Sequence, residues 1–182
     1  EGIIFQNQRV PEGNGAGIRL EKGNLTIHNS TFRNADQGIL TAIFKSGHIS
    51  IDRSTFSRLG RCDRGLACAH SIYIGAFASL KVTNSRFEKG NVGHYIKSRA
   101  PKITATNNSF DDSQGRTTNY MIDLPEGATG VINNNFFVQG QDKENYSAFI
   151  AVAAKRRTHR SGGLNIHSNT ASFAKGVSRK SF

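Results

Sequence analysis

A short stretch of the chain, GHYIKSRA at positions 93–100, brings together side chains that exchange protons or carry positive charge. His94, Lys97 and Arg99 fall within six positions, directly before an alternating run of residues. Histidine and lysine act as general acids or bases, and arginine neutralises an anionic group. Such a set fits proton abstraction next to a carboxylate, provided that the backbone brings the side chains to one face.

The elements that would position these residues are repeated along the chain. Six segments share one frame: LTIHNSTF from 25, ISIDRSTF from 49, LKVTNSRF from 80, ITATNNSF from 103, GVINNNFF from 130 and, more weakly, LNIHSNTA from 164. The first five end in Phe32, Phe56, Phe87, Phe110 and Phe137, spaced by 24, 31, 23 and 27 residues. A repeat of this length corresponds to one supersecondary unit.

Each repeat has the pattern of short strands. The first and third positions of the segments are mostly apolar, which is the period-two signature of a strand. The fifth and sixth positions are mostly asparagine or serine, which favour a sharp turn. A second strand precedes each segment: GIRLE from 17, GILTA from 38, SIYIG from 71, YIKSR from 95, MIDLP from 121 and FIAVA from 149. A third strand is predicted in stretches such as 90–94.

These repeats predict an all-β fold, a single-stranded right-handed parallel β-helix of six to seven coils forming one domain over residues 1–182. Like positions of stacked coils form ladders about 4.8 Å apart, with the phenylalanines inside and asparagines at the turns. An antiparallel sandwich is the alternative, but it needs a hairpin turn about every 8–12 residues. Because the sequence starts abruptly at Glu1, we expect a first coil, a cap or a signal peptide upstream.

Stacking the second strands predicts columns of outward side chains. The residues expected to point inward are Ile18, Ile39, Ile72, Ile96, Ile122 and Ile150. The residue after each isoleucine then points to solvent, which aligns Tyr73, Lys97 and Asp123 in neighbouring coils. Arg19 holds the equivalent position in the first coil, and Arg99 lies beside Lys97 on the same face. We expect Tyr73, Lys97, Arg99 and Asp123 to form a catalytic group and Arg19 to bind substrate.

A second column lies two residues before the isoleucines. It stacks His70, His94 and Tyr120, which are candidate substrate-binding residues at the edge of a groove. They would act there as a proton relay or a pH-sensitive edge. The alternative is structural, with the rings bonded to the backbone.

The charge of the chain favours an anionic partner. Its 24 basic and 13 acidic residues give a formal net charge of +11 at pH 7, which steers anions over long distances. The one dense basic cluster is 155–157 with Arg160, and no nucleic-acid-binding motif accompanies it. No apolar run is long enough to span a membrane. We therefore expect an acidic polysaccharide as partner, and neither nucleic acid nor membrane insertion; a solvated basic loop is the alternative for the cluster.

Two further pairs of residues bear on export and on metals. Cys62 and Cys68 enclose a short loop, and a disulfide there would be compatible with an exported protein. Two free thiols are the alternative, and a metal site with His70 lacks a fourth ligand at zinc spacing. Asp111 and Asp112 are a candidate calcium pair, whereas the alternative is a solvated acidic turn. No other cofactor is expected.

The segments NGAGIR (14–19), GILTA (38–42), GHYIKSRA (93–100) and IDLPEG (122–127), together with the repeat, resemble bacterial proteins of the right-handed parallel β-helix, pectin-lyase-like superfamily. The resemblance covers nearly the whole chain. It implies a polysaccharide as substrate class, since the better-known members are polysaccharide lyases, glycoside hydrolases, uronate epimerases and binding proteins. In the alginate-lyase and chondroitinase type of β-helix a lysine is the base and an arginine assists, and Lys97 and Arg99 match those roles by position.

We therefore expect a secreted or periplasmic bacterial protein that acts on a uronate-containing polysaccharide as a lyase or C5-epimerase. One feature opposes Lys97 as base: Asp123, one coil away, should raise the lysine pKa unless desolvation or Arg99 opposes it. The alternative is Tyr73 as base or acid, with Lys97 and Arg99 binding the carboxylate. A further alternative is that Lys97 and Asp123 form only a surface ion pair. The alternative functions are a noncatalytic glycan-binding or cell-surface module and a purely structural solenoid. An enzyme should have a cleft walled by residues 58–69 and 155–160.

Overall fold

The computed structural model describes residues 1–159 and 162–178. Within these residues the chain forms 19 strands and no helix. In chain order the strands are β1 Ile4–Gln6, β2 Ala16–Leu20, β3 Leu25–His28, β4 Thr31–Arg33, β5 Gln37–Thr41, β6 Phe44–Asp52, β7 Thr55–Ser57, β8 Ile72–Ile74, β9 Phe77–Thr83, β10 Arg86–Glu88, β11 Ile96–Ser98, β12 Lys102–Thr106, β13 Ser109–Asp111, β14 Ile122–Leu124, β15 Thr129–Asn133, β16 Phe136–Gln139, β17 Ile150–Val152, β18 Leu164–His167 and β19 Thr170–Phe173.

The strands assemble into a parallel β-helix of about six turns, which confirms the predicted fold class. Every third strand belongs to the same sheet: sheet A runs β1-β4-β7-β10-β13-β16-β19, sheet B runs β2-β5-β8-β11-β14-β17, and sheet C runs β3-β6-β9-β12-β15-β18. All pairings between these strands are parallel. Each turn of the solenoid therefore contributes one short strand to each of three faces.

The third strand of each turn lies where the sequence did not predict it. It follows the asparagine or serine turn directly and holds the phenylalanine at its centre, as in β4 and β7. The stretch 90–94 contributes only an isolated bridge, between Gly93 and Thr118, which continues to Lys143. Each repeated segment contains two strands, such as β3 and β4, separated by a turn of only two residues. The sequence pattern therefore showed them as one strand followed by a turn.

The core is a set of stacked side chains from the three faces. Phe5, Phe32, Phe56, Phe87, Phe110 and Phe137 form one column with ring centroids 4.7–5.0 Å apart. The isoleucines of sheet B pair in the predicted order, from Ile18 through Ile39, Ile72, Ile96 and Ile122 to Ile150. From Ile39 to Ile122 these isoleucines are fully buried. Burying apolar area of this kind stabilises by about 25 cal/mol per Å².

The turns between sheets C and A are held by polar residues in two neighbouring columns. The fifth position of each repeat has a left-handed backbone, with φ between 47° and 58° at Asn29, Arg53, Asn84, Asn107, Asn134 and Ser168. The sixth position points inward and bonds to the next coil, in the order Ser30, Ser54, Ser85, Asn108, Asn135 and Asn169. We call this second column the turn ladder. It satisfies backbone N–H groups that the turn would otherwise leave buried and unpaired.

Candidate functional site

An open groove of about 530 Å³ lies over sheet B. Its floor includes Tyr73 on β8, Lys97 on β11 and Arg99 just beyond β11. The two segments expected to wall a cleft both contribute to it, through Leu66 and Cys68 from the first and Lys155 from the second. Arg160, the last residue of the second segment, lies outside the described residues.

The first wall is a cross-linked loop. Cys62 and Cys68 form a disulfide, and Arg61 pairs with Ala69 in an antiparallel bridge at the base of the loop. These two pairings join residues that are close in sequence, and together they close the loop at its base.

The outward column of sheet B has the predicted register. Tyr73 pairs with Lys97, and Lys97 pairs with Asp123. Asp123, however, does not face solvent as expected, because it is only 4% exposed. Its Oδ2 lies 3.5 Å from Lys97 Nζ and 3.3 Å from His94 Nε2. The pair is therefore half-buried to buried and not a surface ion pair.

Burial decides the protonation of this pair. Burial lowers the pKa of Lys97, and the carboxylate of Asp123 opposes that shift without cancelling it. Desolvation is thus the opposing effect that the sequence left open, because it disfavours the ammonium more than the neighbouring charge favours it. Burial also raises the pKa of Asp123, against the opposing charge of Lys97. Lys97 is consequently closer to a neutral amine than an exposed lysine is.

Arg99 orients the tyrosine of the same groove. Its Nε donates a hydrogen bond to Tyr73 Oη at 3.0 Å, and its Nη1 donates to Glu126 Oε1 at 2.5 Å. Burial alone would lower the pKa of Arg99, but the bonds with Tyr73 and Glu126 raise it. Arg99 therefore keeps its positive charge and holds the hydroxyl of Tyr73, which lies on the coil next to that of Lys97.

Glu126 is a site residue that the repeat pattern did not reveal. Its carboxylate is 5% exposed and also accepts a bond from Arg156 Nη2 at 2.9 Å. Its backbone carbonyl accepts bonds from Thr158 and His159, so the basic segment folds back onto it. Burial alone would raise the pKa of Glu126, but Arg156 and Arg99 lower it. The available signal was its place two residues after the end of β14, the strand that carries Asp123.

The histidine column forms as predicted and is mainly structural in its contacts. His70 stacks on His94 with ring centroids 4.8 Å apart, and His94 stacks on Tyr120 at 5.6 Å. His70 Nδ1 accepts a hydrogen bond from the backbone N–H of His94 at 3.1 Å. Gly93, with a φ of 72°, allows this approach, since a Cβ there would lie 2.8 Å from His70 Nδ1. Both histidines nevertheless line the groove, whereas Tyr120 does not.

Both histidines are neutral near pH 7. Burial, together with the positive charge of Lys97, holds the pKa of His70 well below its ordinary 6.5. Burial and Lys97 lower the pKa of His94 to about 3. The 3.3 Å approach of His94 Nε2 to Asp123 Oδ2 is therefore a contact of a neutral ring and not an ion pair. Its Nδ1 is buried and has no hydrogen-bond partner among the described residues.

Arg19 does not belong to this group. It bonds to Glu21 at 2.6 Å on an exposed part of the first coil and does not line the groove. Two acidic residues on the lining were not anticipated: Glu12 and Glu144, the second of which accepts a bond from Asn119 at 2.8 Å. The groove thus carries charges of both signs, with cations at its floor.

The acidic pair at 111–112 is not arranged as a calcium site. Asp112 is fully buried, and its oxygens accept bonds from Tyr95 at 2.7 Å, Thr118 at 2.7 Å and Lys143 at 3.4 Å. Burial lowers the pKa of Lys143, with Asp112 opposing. Among residues 1–159 and 162–178 no group of three or more histidine, cysteine or acidic residues is placed to hold a metal ion. Asp112 therefore anchors a buried polar network between coils.

Comparisons with known proteins do not assign this groove. The chain matches no protein-family model, and searches of curated proteins and of solved structures return no match. In the part of the chain that the structure describes, no helix is long and apolar enough to cross a membrane.

Proposed function

We propose that the groove over sheet B binds a uronate-containing polysaccharide and that Lys97 removes the C5 proton of a bound uronate. The observation that carries this proposal is the buried Lys97, whose pKa burial lowers, beside the Arg99–Tyr73 pair in an open groove. A base works best when its pKa is near the operating pH. An open groove on a solenoid face also fits an extended polymer.

The groove residues divide the chemistry between them. Lys155 and Arg99 face the sugar carboxylate. Their positive charges stabilise the negative charge that develops when C5 loses its proton. Neutral Lys97 takes that proton at Nζ. In elimination the C4–O bond then breaks, a C4–C5 double bond forms, and Tyr73 Oη donates a proton to the leaving oxygen. In epimerisation C5 instead receives a proton from the opposite face and no bond to oxygen breaks.

We also propose that the chain belongs with the pectin-lyase-like superfamily and is a bacterial secreted or periplasmic protein. The three parallel sheets and the turn ladder support the first statement. The disulfide supports the second, because such bonds persist in oxidising compartments.

The test is the ultraviolet absorbance of the unsaturated uronate formed by elimination. It should be followed over a panel of alginate, pectate, glycosaminoglycans and bacterial exopolysaccharides. Lys97→Ala should lower the initial rate by about 10²-fold or more, the usual contribution of a general base. Lys81→Ala is the matched control, since Lys81 is an exposed lysine on sheet C.

Epimerisation gives no new absorbance and needs a second readout. Incorporation of deuterium at C5 from heavy water, followed by NMR, detects it. If the wild-type protein produces neither an absorbance increase nor deuterium incorporation at C5 with any of these polymers, the catalytic proposal is contradicted.

A noncatalytic glycan-binding module is the second candidate, because Lys155 lines the groove without an ion pair to any described residue, whereas the proposed base Lys97 is held in an ion pair. Lys97 already contacts Asp123, and Arg99 already contacts Glu126. Binding without turnover, weakened by salt because exposed charges are screened within about 10 Å at 0.1 M, would support this candidate.

A further inference from the structure

A second groove, of about 390 Å³, lies apart from the first at the turns that leave sheet A. Seven residues line it: Arg9, Asn34, Arg58, Lys89, Asn91, Gln114 and Arg116. Four of them are cations and three carry amides, and none is acidic, aromatic or apolar. We call this site the cationic groove.

The stacking of the coils sets the central cations of the cationic groove one above the other. Asn34, Arg58 and Lys89 each follow a strand of sheet A and share a left-handed backbone, with φ of 53–54°. The N–H of Asn34 donates to Ser57 O, and the N–H of Arg58 donates to Glu88 O. Equivalent positions in adjacent coils are therefore about 4.8 Å apart.

Side chains of like charge on neighbouring stacked positions repel each other. Asparagine, which occupies this position as Asn34, accepts a left-handed backbone more readily than arginine or lysine. Arg58 and Lys89 thus occupy positions where both the left-handed backbone and the repulsion between like charges are unfavourable.

The arginines of the cationic groove have few competing partners. Among the described residues neither Arg58 nor Arg116 forms an ion pair, and Arg9 Nε bonds only to the carbonyl of Asn34, at 3.4 Å. Lys89 lies 3.8 Å from Glu88 Oε1, but Arg86 holds the other oxygen of that carboxylate at 2.7 Å. Guanidinium donors are therefore available to a ligand.

We propose that the cationic groove binds a tetrahedral oxyanion, a phosphate or sulfate group, either free or as an ester on a polymer. Guanidinium groups pair with such oxygens through two parallel hydrogen bonds, and the amides of Asn91 and Gln114 add neutral donors. The lining offers no aromatic ring on which a base could stack, so charge and hydrogen bonding provide the recognition. This inference does not depend on the chemistry proposed for Lys97.

The experiment is isothermal titration calorimetry of the whole chain with four probes: inorganic phosphate, inorganic sulfate, dextran sulfate and unmodified dextran. Arg58→Ala should raise the dissociation constant about tenfold, which is the loss expected for one charge-assisted pair. Arg116→Ala should have a similar effect. Arg53→Ala is the matched control, because Arg53 is an exposed arginine with nearly the same φ on a different turn, and it should change affinity less than about twofold.

The probes also identify the source of the oxyanion. Binding of inorganic phosphate or sulfate that Arg58→Ala weakens indicates a free anion, and the same dependence with dextran sulfate alone indicates an ester on a polymer. Binding to unmodified dextran, equal losses in Arg58→Ala and Arg53→Ala, or no binding of any anion by the wild type would overturn the proposal. Lys97→Ala should leave phosphate binding unchanged, which separates this site from the groove over sheet B.

Discussion

At the scale of single residues, the balance between Lys97 and Asp123 sets the chemistry that the groove over sheet B offers. Burial disfavours charge on both side chains, and each partner partly restores the charge of the other. A buried pair of this kind responds strongly when one partner is neutralised.

Asp123→Asn should lower the pKa of Lys97 further. The substitution keeps the shape of the side chain and removes the charge that opposes desolvation. Lysine side-chain NMR signals followed through a pH titration measure the change directly. If the protein is a lyase, the acidic limb of its pH–rate profile should move to lower pH in the same variant. A Lys97 pKa that stays in place or rises would contradict this account.

The buried histidines should make folding stability fall in mild acid. The pKa of His94 is about 3 in the fold and its ordinary value is 6.5, so the unfolded chain binds the extra proton between these values. Stability from this group is full above pH 6.5 and is lost as the pH falls. By about pH 4.5, two units below that ordinary value, the loss from His94 should reach about 3 kcal/mol.

Urea unfolding at several pH values checks this expectation. The wild type should lose stability between pH 6.5 and 4.5, and His94→Gln should show a clearly shallower slope, with His70 still contributing. Equal slopes in the two proteins would mean that His94 is not the group that takes up the proton.

At the scale of secondary-structure elements, the turn ladder ties each coil to the next independently of the sheets. Asn135 illustrates the arrangement: its Oδ1 accepts from the backbone N–H of Asn108 at 2.9 Å, and its Nδ2 donates to Ala105 O at 2.9 Å. A ladder of this kind places polar groups inside the solenoid without leaving them unpaired.

Asn135→Ala should lower the free energy of unfolding by about 2–4 kcal/mol, because it leaves a buried N–H and a buried carbonyl without partners. Asn135→Ser should cost less, since serine takes this position in the first three coils. Chemical denaturation of the two variants measures both values. The neighbouring Asn134→Gly is the control: this side chain is exposed and its φ is 53°, which glycine adopts without strain. Equal losses at positions 134 and 135 would show that the turn conformation, and not the ladder, is what matters.

At the scale of the whole molecule, the coils of residues 1–159 and 162–178 stack from β1 to β19. In the described residues β1 pairs only with β4, so one of its edges carries unpaired backbone groups. Ile3 and Ile4 beside this edge are 48% and 58% exposed. Unprotected edges with apolar side chains favour association between chains.

A chain of residues 1–182 should therefore self-associate through its first coil as concentration rises. Replacing Ile4 with lysine should weaken that association, because charge on an edge strand opposes pairing. Sedimentation velocity over a range of concentrations measures the effect. Ile43→Lys is the control, since Ile43 is 71% exposed but lies between β5 and β6, away from the end coil. An Ile4→Lys variant that associates like the wild type would exclude this edge.

The sequence alone determined the coils, their order and the register of sheet B. Side chains alternate with a period of two, so a shift of one residue would turn every buried isoleucine outward. Repeats aligned by their phenylalanines therefore predicted the isoleucine ladder, the Tyr73, Lys97 and Asp123 column and the stacked histidines. The sharp turns between sheets C and A also followed from the sequence, because each turn depends on residues that are neighbours in the chain.

Only the tertiary structure decided how these columns are covered and paired. The burial of Asp123 and the contact of Arg99 with Glu126 depend on segments that follow no repeat. The path of such segments is set by contacts between residues 25 or more apart, as in Arg99 with Glu126 and Arg156 with Glu126. Burial at Lys97 then reversed the pKa shift expected from its charged neighbour, since desolvation depends on everything that surrounds a group and not on its position in a column.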